Sequence, residues 1–269
     1  MAALAATAVV GGLGMVSLAS NATAGEPQQT QEPSNTRVNG TTQWVPRWTA
    51  DPASEGLKAF EGVEDDRAGS DPGVKHIYVK DGAYRFDMPL KERDSSPDRQ
   101  RNEVKGMRTG DTDLQILKGQ TWRFTDSVYI PSSLEATTSF THIMQFKKPG
   151  SGSAPIMVMS LRQHDGTPTI EFNSALSGKI VGRTALGPLQ NKWIGVDLEV
   201  TFDDKDGAIN WKLTDGSGTI VDAHMSGLDT WLGQRARPKW GIYRSLKDKT
   251  HLKNAYLLVK DLKAYQQTS

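Results

Sequence analysis

The feature that most constrains this chain is alternation. "HIYVKDGAYRFDM" (residues 76–88) switches between apolar and polar side chains around an Asp81-Gly82 turn, as the two arms of a β-hairpin do. The same pattern returns in "QTWRFTDSVYI", "FTHIMQFKK", "APIMVMSLRQHDGTPTIEFN", "WIGVDLEVTF", "AINWKLTD", "GTIVDAHM", "KWGIYR" and "AYLLVKDLKAYQ". Turns rich in Gly, Asp, Asn and Pro, such as "DDKDG" and "TDGSG", separate these runs. No long segment has a 3.6-residue apolar period, so helix should be scarce. Many short strands with one apolar face must bury that face against a second layer. The expected fold is therefore all-β, a jelly-roll sandwich of two curved antiparallel sheets. A chain of 269 residues is ample for one such domain.

The N-terminus reads differently. Residues 2–19 are small and apolar, and Ala22-Thr23-Ala24 forms an A-x-A cleavage pattern. This predicts a signal peptide over 1–24, although its usual basic start is missing, and a secreted, extracellular protein. "GEPQQTQEPSNTRVNGTTQ" (25–43) has almost no large apolar side chain and is expected to be a disordered leader. Trp44, Val45 and Trp48 open the folded domain, 44–269. There are no cysteines, which excludes disulfides, thiol nucleophiles and thiolate metal sites. A net charge of +1 supplies no overall field for nucleic acid, and any cationic site must be local. Once the leader is removed, neither a membrane nor a nucleic acid is an expected partner, and the protein is expected to be a monomer.

Three polar strands carry the chemistry. In "QRNEVKG" (100–106), Arg101, Glu103 and Lys105 share a face. In "THIMQFKK" (141–148), Ile143, Gln145 and Lys147 share one face, while His142, Met144 and Phe146 share the other, apolar one. In "KWGIYR" (239–244), Lys239, Gly241 and Tyr243 oppose Trp240 and Ile242. Each polar face has an ordinary reading as a solvated surface. Together they also read as a groove, because cations and amides pair with the carboxylates of an extended polyanion. Gly241 would then let a sugar ring approach the backbone. His142 enters such a groove only if a β-bulge shifts its register, and it is then expected to be the likelier base.

The order R-x-E-x-basic, Q-x-K, K-x-G-x-Y resembles the pattern of the jelly-roll polysaccharide lyases, which share a concanavalin A-like sandwich. The alginate lyases of that group have R-x-E-x-R, Q-x-H and K-x-G-x-Y. "KWGIYRS", after "NKWIGVDLEVTFDDKDGAINWKLTDGSG", is more similar to the glucuronan and heparin lyase branch. The resemblance spans about residues 75–265. It implies that Tyr243 is catalytic, that Gln145 holds the substrate carboxylate, and that Arg101 is a groove arginine oriented by Glu103. It implies that Lys239 binds substrate. The chain departs from the pattern at Lys147, where the lyases commonly have histidine.

The implied activity is β-elimination on a 4-linked uronic-acid polysaccharide of glucuronan or heparin type. The C5 proton becomes acidic only when the neighbouring carboxylate is neutralised, a task for Gln145 with Arg101 or Lys147. A base must reach C5 and an acid the leaving oxygen, and Tyr243 can do both. Arg162, Arg244 and His76 are further candidates to line the groove, while His164 should lie at an exposed turn. No cofactor is required. Acidic loops such as "DDKDG" leave room for a structural calcium, and no ligand spacing suggests zinc. Two other readings stay open. One is a non-catalytic carbohydrate-binding sandwich. The other is a retaining glycoside hydrolase, which would need two close carboxyl groups on the groove face.

Overall fold

The computed structural model describes residues 43–91, 94–150 and 152–268. The expected signal peptide, and all of the expected leader except Gln43, lie outside them. The described residues form seventeen strands and three short 3-10 turns. The first strands are β1 (Gln43–Thr49), β2 (Gly62–Glu64), β3 (Ile77–Lys80), β4 (Ala83–Met88), β5 (Arg99–Lys105) and β6 (Arg108–Thr109). Then come β7 (Thr112–Asp113), β8 (Thr121–Tyr129), β9 (Thr141–Lys147), β10 (Met157–His164), β11 (Thr167–Ser174) and β12 (Lys179–Ala185). The last are β13 (Trp193–Thr201), β14 (Gly207–Asp215), β15 (Gly218–Leu228), β16 (Arg237–Ser245) and β17 (Ala255–Thr268).

The strands assemble as the alternation requires. One sheet runs β15-β14-β13-β8-β17-β4-β3, with β1 beside β17; the other runs β12-β11-β10-β9-β16-β5-β2. The apolar side of each alternation lies between them. Trp122, Phe124, Leu198, Trp211 and Leu257 from the first sheet meet Val104, Phe146, Phe172, Trp240 and Ile242 from the second, all buried. Trp48 stacks on Trp240 with ring centroids 5.6 Å apart, so β1 closes one end of the core. Each such side chain contributes about 1.5–3 kcal/mol of burial energy, which is how a domain without disulfides is held together. No helix among the described residues is long and apolar enough to cross a membrane.

One core position breaks the alternation rule. Asp126 on β8 points inward between Phe124 and Val128 and is 6% exposed. Its carboxyl receives the Trp240 indole N–H at 3.3 Å. Burial disfavours the charged form and raises its pKa from 3.8 to about 7. A group whose folded pKa is raised adds stability that is complete below its unfolded pKa and is lost as pH rises through the folded value. Asp126 should therefore favour the fold below about pH 4 and cease to do so as pH passes about 7. In thermal melts from pH 4 to 8, Asp126→Asn should flatten the decline in Tm. An unchanged slope would mean that the carboxyl is solvated.

Candidate active site

The outer face of the seven-stranded sheet forms the floor of a cleft of about 370 Å³. Its lining includes Arg99, Arg101, Lys147, Lys239 and Tyr243, together with Glu64 and Asp94. Register explains this convergence. Lys239 pairs with Lys105 on one side and Gln145 on the other, and Tyr243 pairs with Arg101. With β16 between β5 and β9, the three polar faces identified in the sequence become one surface.

That surface is not solvated. Glu103, 1% exposed, is its centre. Its Oε2 receives Lys239 Nζ at 2.6 Å and Arg101 Nη1 at 3.1 Å, and its Oε1 receives Gln145 Nε2 at 2.6 Å. Glu64 on β2 receives Lys239 Nζ at 2.5 Å and Arg101 Nη1 at 3.2 Å. Asp94 receives Arg101 Nε at 3.0 Å. Burial works against the charge on Glu64, but Lys239, Arg101 and Lys105 outweigh it and hold its pKa down to about 2. Arg101 is likewise opposed by burial and held charged by Glu103, Asp94 and Glu64. The pair Glu64 and Glu103 therefore does not suit retaining glycoside hydrolysis. Glu64 stays ionised at neutral pH and both carboxylates are bound by the same cations, so Glu64 is no general acid.

This geometry corrects the expected roles of three residues. Lys239 is 2% exposed and held by two carboxylates, so it ties strands together. Gln145 is expected to offer its amide N–H to a substrate carboxylate, but it is 1% exposed and gives one of its two amide N–H groups to Glu103. A carboxylate only accepts, which fixes the amide orientation and leaves the buried Oε1 without a partner. Gly241 is not an opening for a sugar. Its φ is +134°, and an added Cβ would lie 2.2 Å from the Asn102 carbonyl, so close packing of β16 on β5 requires glycine.

Tyr243 sits at the cleft wall, 8% exposed. Its hydroxyl receives Arg99 Nη1 at 2.7 Å, and the Arg101 guanidinium lies 3.9 Å from its ring centroid. Arg99 is itself held by Asp98. The sequence reading missed Arg99, Asp94 and Glu64. Arg99 shares the parity of Arg101 and was findable on that ground; Asp94 and Glu64 lie outside the strands that carry the motif and left no signal.

His142 is the main correction to the strand reading. It was expected on the apolar face of β9. A bulge places Ile143 opposite no residue of β10, whose adjacent Met159 and Ser160 pair with Met144 and His142. The extra residue reverses the face. Ile143 and Met144 are both in the core, and His142 joins Gln145 and Lys147 on the cleft side. It pairs with Tyr243, with ring centroids 5.9 Å apart, and stacks on Phe140. Ser160 Oγ donates to the Thr141 carbonyl and so accepts from His142 Nδ1–H at 3.1 Å, leaving Nε2 unprotonated. Burial, then Arg162, Arg101 and Lys147, lowers the His142 pKa to about 3.

Lys147 has no ion pair among the described residues. Burial, Arg101 and Lys239 lower its pKa, and an incoming anion would relieve that unfavourable charge. Arg162 faces the same side, its buried Nε without a partner. Two other candidates lie elsewhere. His76 precedes β3 of the opposite sheet and sits between Asp65 and Asp71. Arg244 points into the protein, bonded to Gln100 and to the carbonyls of Met88 and Lys253. Its parity with Trp240 and Ile242 already pointed that way. His164, expected to be exposed, is half-buried against Glu171 at 2.7 Å. In the acidic turn after β13, Asp203 accepts the N–H groups of Lys205 and Asp206, and Asp204 pairs with Lys118. No cluster among the described residues is arranged to hold a metal ion.

No protein-family model matches the chain. No curated protein matches it in sequence. Solved structures do resemble it. The family 7 alginate lyase A1-II', solved with a bound product, is 14% identical with a TM-score of 0.56, over 81% of this chain and 99% of its own. An alginate lyase from Pseudomonas aeruginosa is 14% identical with a TM-score of 0.50, over 77% and 98%. The chain has the jelly-roll fold of these lyases. The endo-β-1,4-glucuronan lyase from the fungus Trichoderma reesei is 14% identical, with a TM-score of 0.49, over 77% and 91%.

The Glu103 network makes a stability prediction. Lys239→Ala should leave Glu103 without its closest cation and cost about 3–5 kcal/mol, the usual result of removing one partner from a buried pair. Chemical denaturation measures this directly. A variant of normal stability that shows only a raised KM would return Lys239 to a substrate-binding role.

Proposed function

We propose that this protein is a secreted polysaccharide lyase that cleaves a 4-linked uronic-acid chain by β-elimination in the cleft. Tyr243 carries the reading. Its phenol oxygen receives Arg99 and its ring lies under Arg101, so negative charge arising on that oxygen faces two guanidiniums. The uncompensated Lys147, with Arg162 beyond it, supplies positive charge for the uronate carboxylate.

The steps balance as follows. The Tyr243 phenolate takes the C5 proton, forming O–H as C–H breaks. The electron pair forms the C4–C5 double bond as the C4–O bond breaks. The leaving oxygen then takes the proton from Tyr243, which restores the phenolate and leaves an unsaturated uronate end. Lys147 neutralises the carboxylate while charge moves onto it. His142 stands on the cleft side but is the weaker base, because burial disfavours an imidazolium there and Arg162, Arg101 and Lys147 oppose it further. Its neutral ring supports Tyr243 and offers Nε2 to a hydroxyl. No step needs a cofactor.

Tyr243→Phe should stay folded and lose turnover by about 10²–10⁴-fold, read as ultraviolet absorbance of unsaturated ends on glucuronan, heparin and alginate. Lys147→Ala should lower kcat/KM by about 10²-fold, as when a transition-state donor is removed. The activity of the intact protein should rise into the alkaline range without a step near about 6.5, the ordinary histidine value. A profile flat above about pH 4, as the lowered His142 pKa of about 3 would give, with turnover lost in His142→Asn would move the base to His142.

The burial of Gln145, with one amide N–H given to Glu103, favours one other reading, a carbohydrate-binding sandwich that does not cut. Binding on the same panel without unsaturated ends would establish it. Export rests on the apolar segment and Ala22-Thr23-Ala24. Mass spectrometry of secreted protein should find a mature chain beginning at Gly25, and an intact apolar segment would refute cleavage.

A further inference from the structure

The outer face of the eight-stranded sheet lies opposite the cleft and is largely polar. β8 presents Thr121, Arg123, Thr125 and Ser127 there, and β13 presents Asp197, Glu199 and Thr201. One end differs. Trp193 pairs with Tyr129, Tyr129 with Leu258, Leu258 with Arg85, and Arg85 with Tyr78. These residues form a single cross-strand row over β13, β8, β17, β4 and β3. Five strands at about 4.8 Å spacing give it a length of roughly 19 Å.

The row is built from rings and cations. Trp193 is 36% exposed and meets Tyr129 edge-on at 5.7 Å. Tyr256, one pleat along from Leu258, lies nearly parallel to Tyr129, with a 7° interplanar angle and centroids 6.4 Å apart. Arg85 covers the Tyr256 ring at 4.0 Å, and Lys260 lies 4.6 Å from the Trp193 ring centroid. Beyond Tyr256 a hollow of about 370 Å³ opens, lined in part by Val74, Pro89 and Asn254. Core packing does not account for the row, because it faces away from the sandwich interior.

We infer that this row is a second carbohydrate-binding surface, which holds a polyuronate chain across the strands on the face opposite the cleft. Aromatic faces stack on the C–H faces of pyranose rings; Arg85 is itself paired with Asp87 at 2.8 Å, so the positive charge for carboxylates along the chain comes from Lys260, 3.9 Å from Asp261. Hydroxyl partners are present too. Tyr78 donates to Asp87 at 2.8 Å, and Asn254 lies at the hollow. The shape argues against a second protein copy. A stable interface buries about 800 Å² per partner around an apolar centre. Here a narrow line of rings is bordered by Asp87, Ser127, Lys260 and Asp261, which suits a linear, hydrated ligand. The choice of a uronate chain rests on the proposed function of the cleft. Such a surface would keep the protein on a long polymer while the cleft acts on it.

The test uses the Tyr243→Phe protein, so that the polymer stays intact, in native gels containing alginate or glucuronan. Adding Trp193→Ala and Tyr256→Ala should weaken retardation by roughly tenfold in apparent Kd, about 1.4 kcal/mol. The single Trp193→Ala change, at an exposed position, should give a smaller loss in the same direction and covers the case in which the double variant folds poorly. In the otherwise native protein, Trp193→Ala should leave turnover of short oligosaccharides unchanged and lower that of long chains. Equal retardation with and without the rings overturns the inference, even if the cleft cuts the polymer. No retardation of the parent on any acidic polysaccharide also overturns it. So does a dimer in solution that Trp193→Ala converts to monomer. Retardation that depends on Trp193, together with no unsaturated ends from the protein with native Tyr243, would uphold the surface and refute the lyase reading of the cleft.

Discussion

Glu103 is a carboxylate almost wholly withdrawn from water, and the cleft floor is arranged around it. Desolvating such a charge costs several kcal/mol unless every lone pair finds a partner. Here Lys239, Arg101 and Gln145 supply those partners from β16, β5 and β9. The carboxylate thus joins three strands across the middle of the sheet. Glu64 and Asp94 accept further hydrogen bonds from the same two cations. A network this closely satisfied holds its members to one geometry, because a displaced member leaves a buried charge unpaired. It also separates the cations into two groups. Lys239 and Arg101 are neutralised within the fold, while Lys147 has no ion pair among the described residues and the buried Nε of Arg162 has no partner.

Two backbone irregularities set what this floor presents. The extra residue at Ile143 turns His142 out of the core and toward Tyr243. The positive φ of Gly241 lets β16 lie against β5 where a side chain would strike a carbonyl. With both strands so fixed, Tyr243 lies between Arg99 and Arg101 on one side and the His142 ring on the other. Burial and the surrounding cations oppose an imidazolium at His142.

The two sheets divide the chemistry between their outer faces. The seven-stranded sheet carries buried charge and a cleft. The eight-stranded sheet carries rings in a line with cations above them. Both faces follow from the same alternation, since a strand that buries every second residue leaves the others free to specialise. The core needs little beyond apolar bulk, apart from Asp126 beneath Trp240.

The fold was legible in the sequence because alternation is local: "WIGVDLEVTF" and "AINWKLTD" each state which residues face inward. The sandwich, the scarcity of helix, and the shared side of Arg101, Gln145, Lys239 and Tyr243 all follow from strand parity. The roles of those residues were not legible. Burial of Lys239 and Gln145 depends on Glu64 and Glu103, which lie up to 175 residues from their partners in sequence. The face of His142 depends on a one-residue register shift that "THIMQFKK" does not announce. Composition and periodicity determine which side of a strand meets the core; only the assembled sheet decides which charges neutralise one another, because that depends on distance and desolvation.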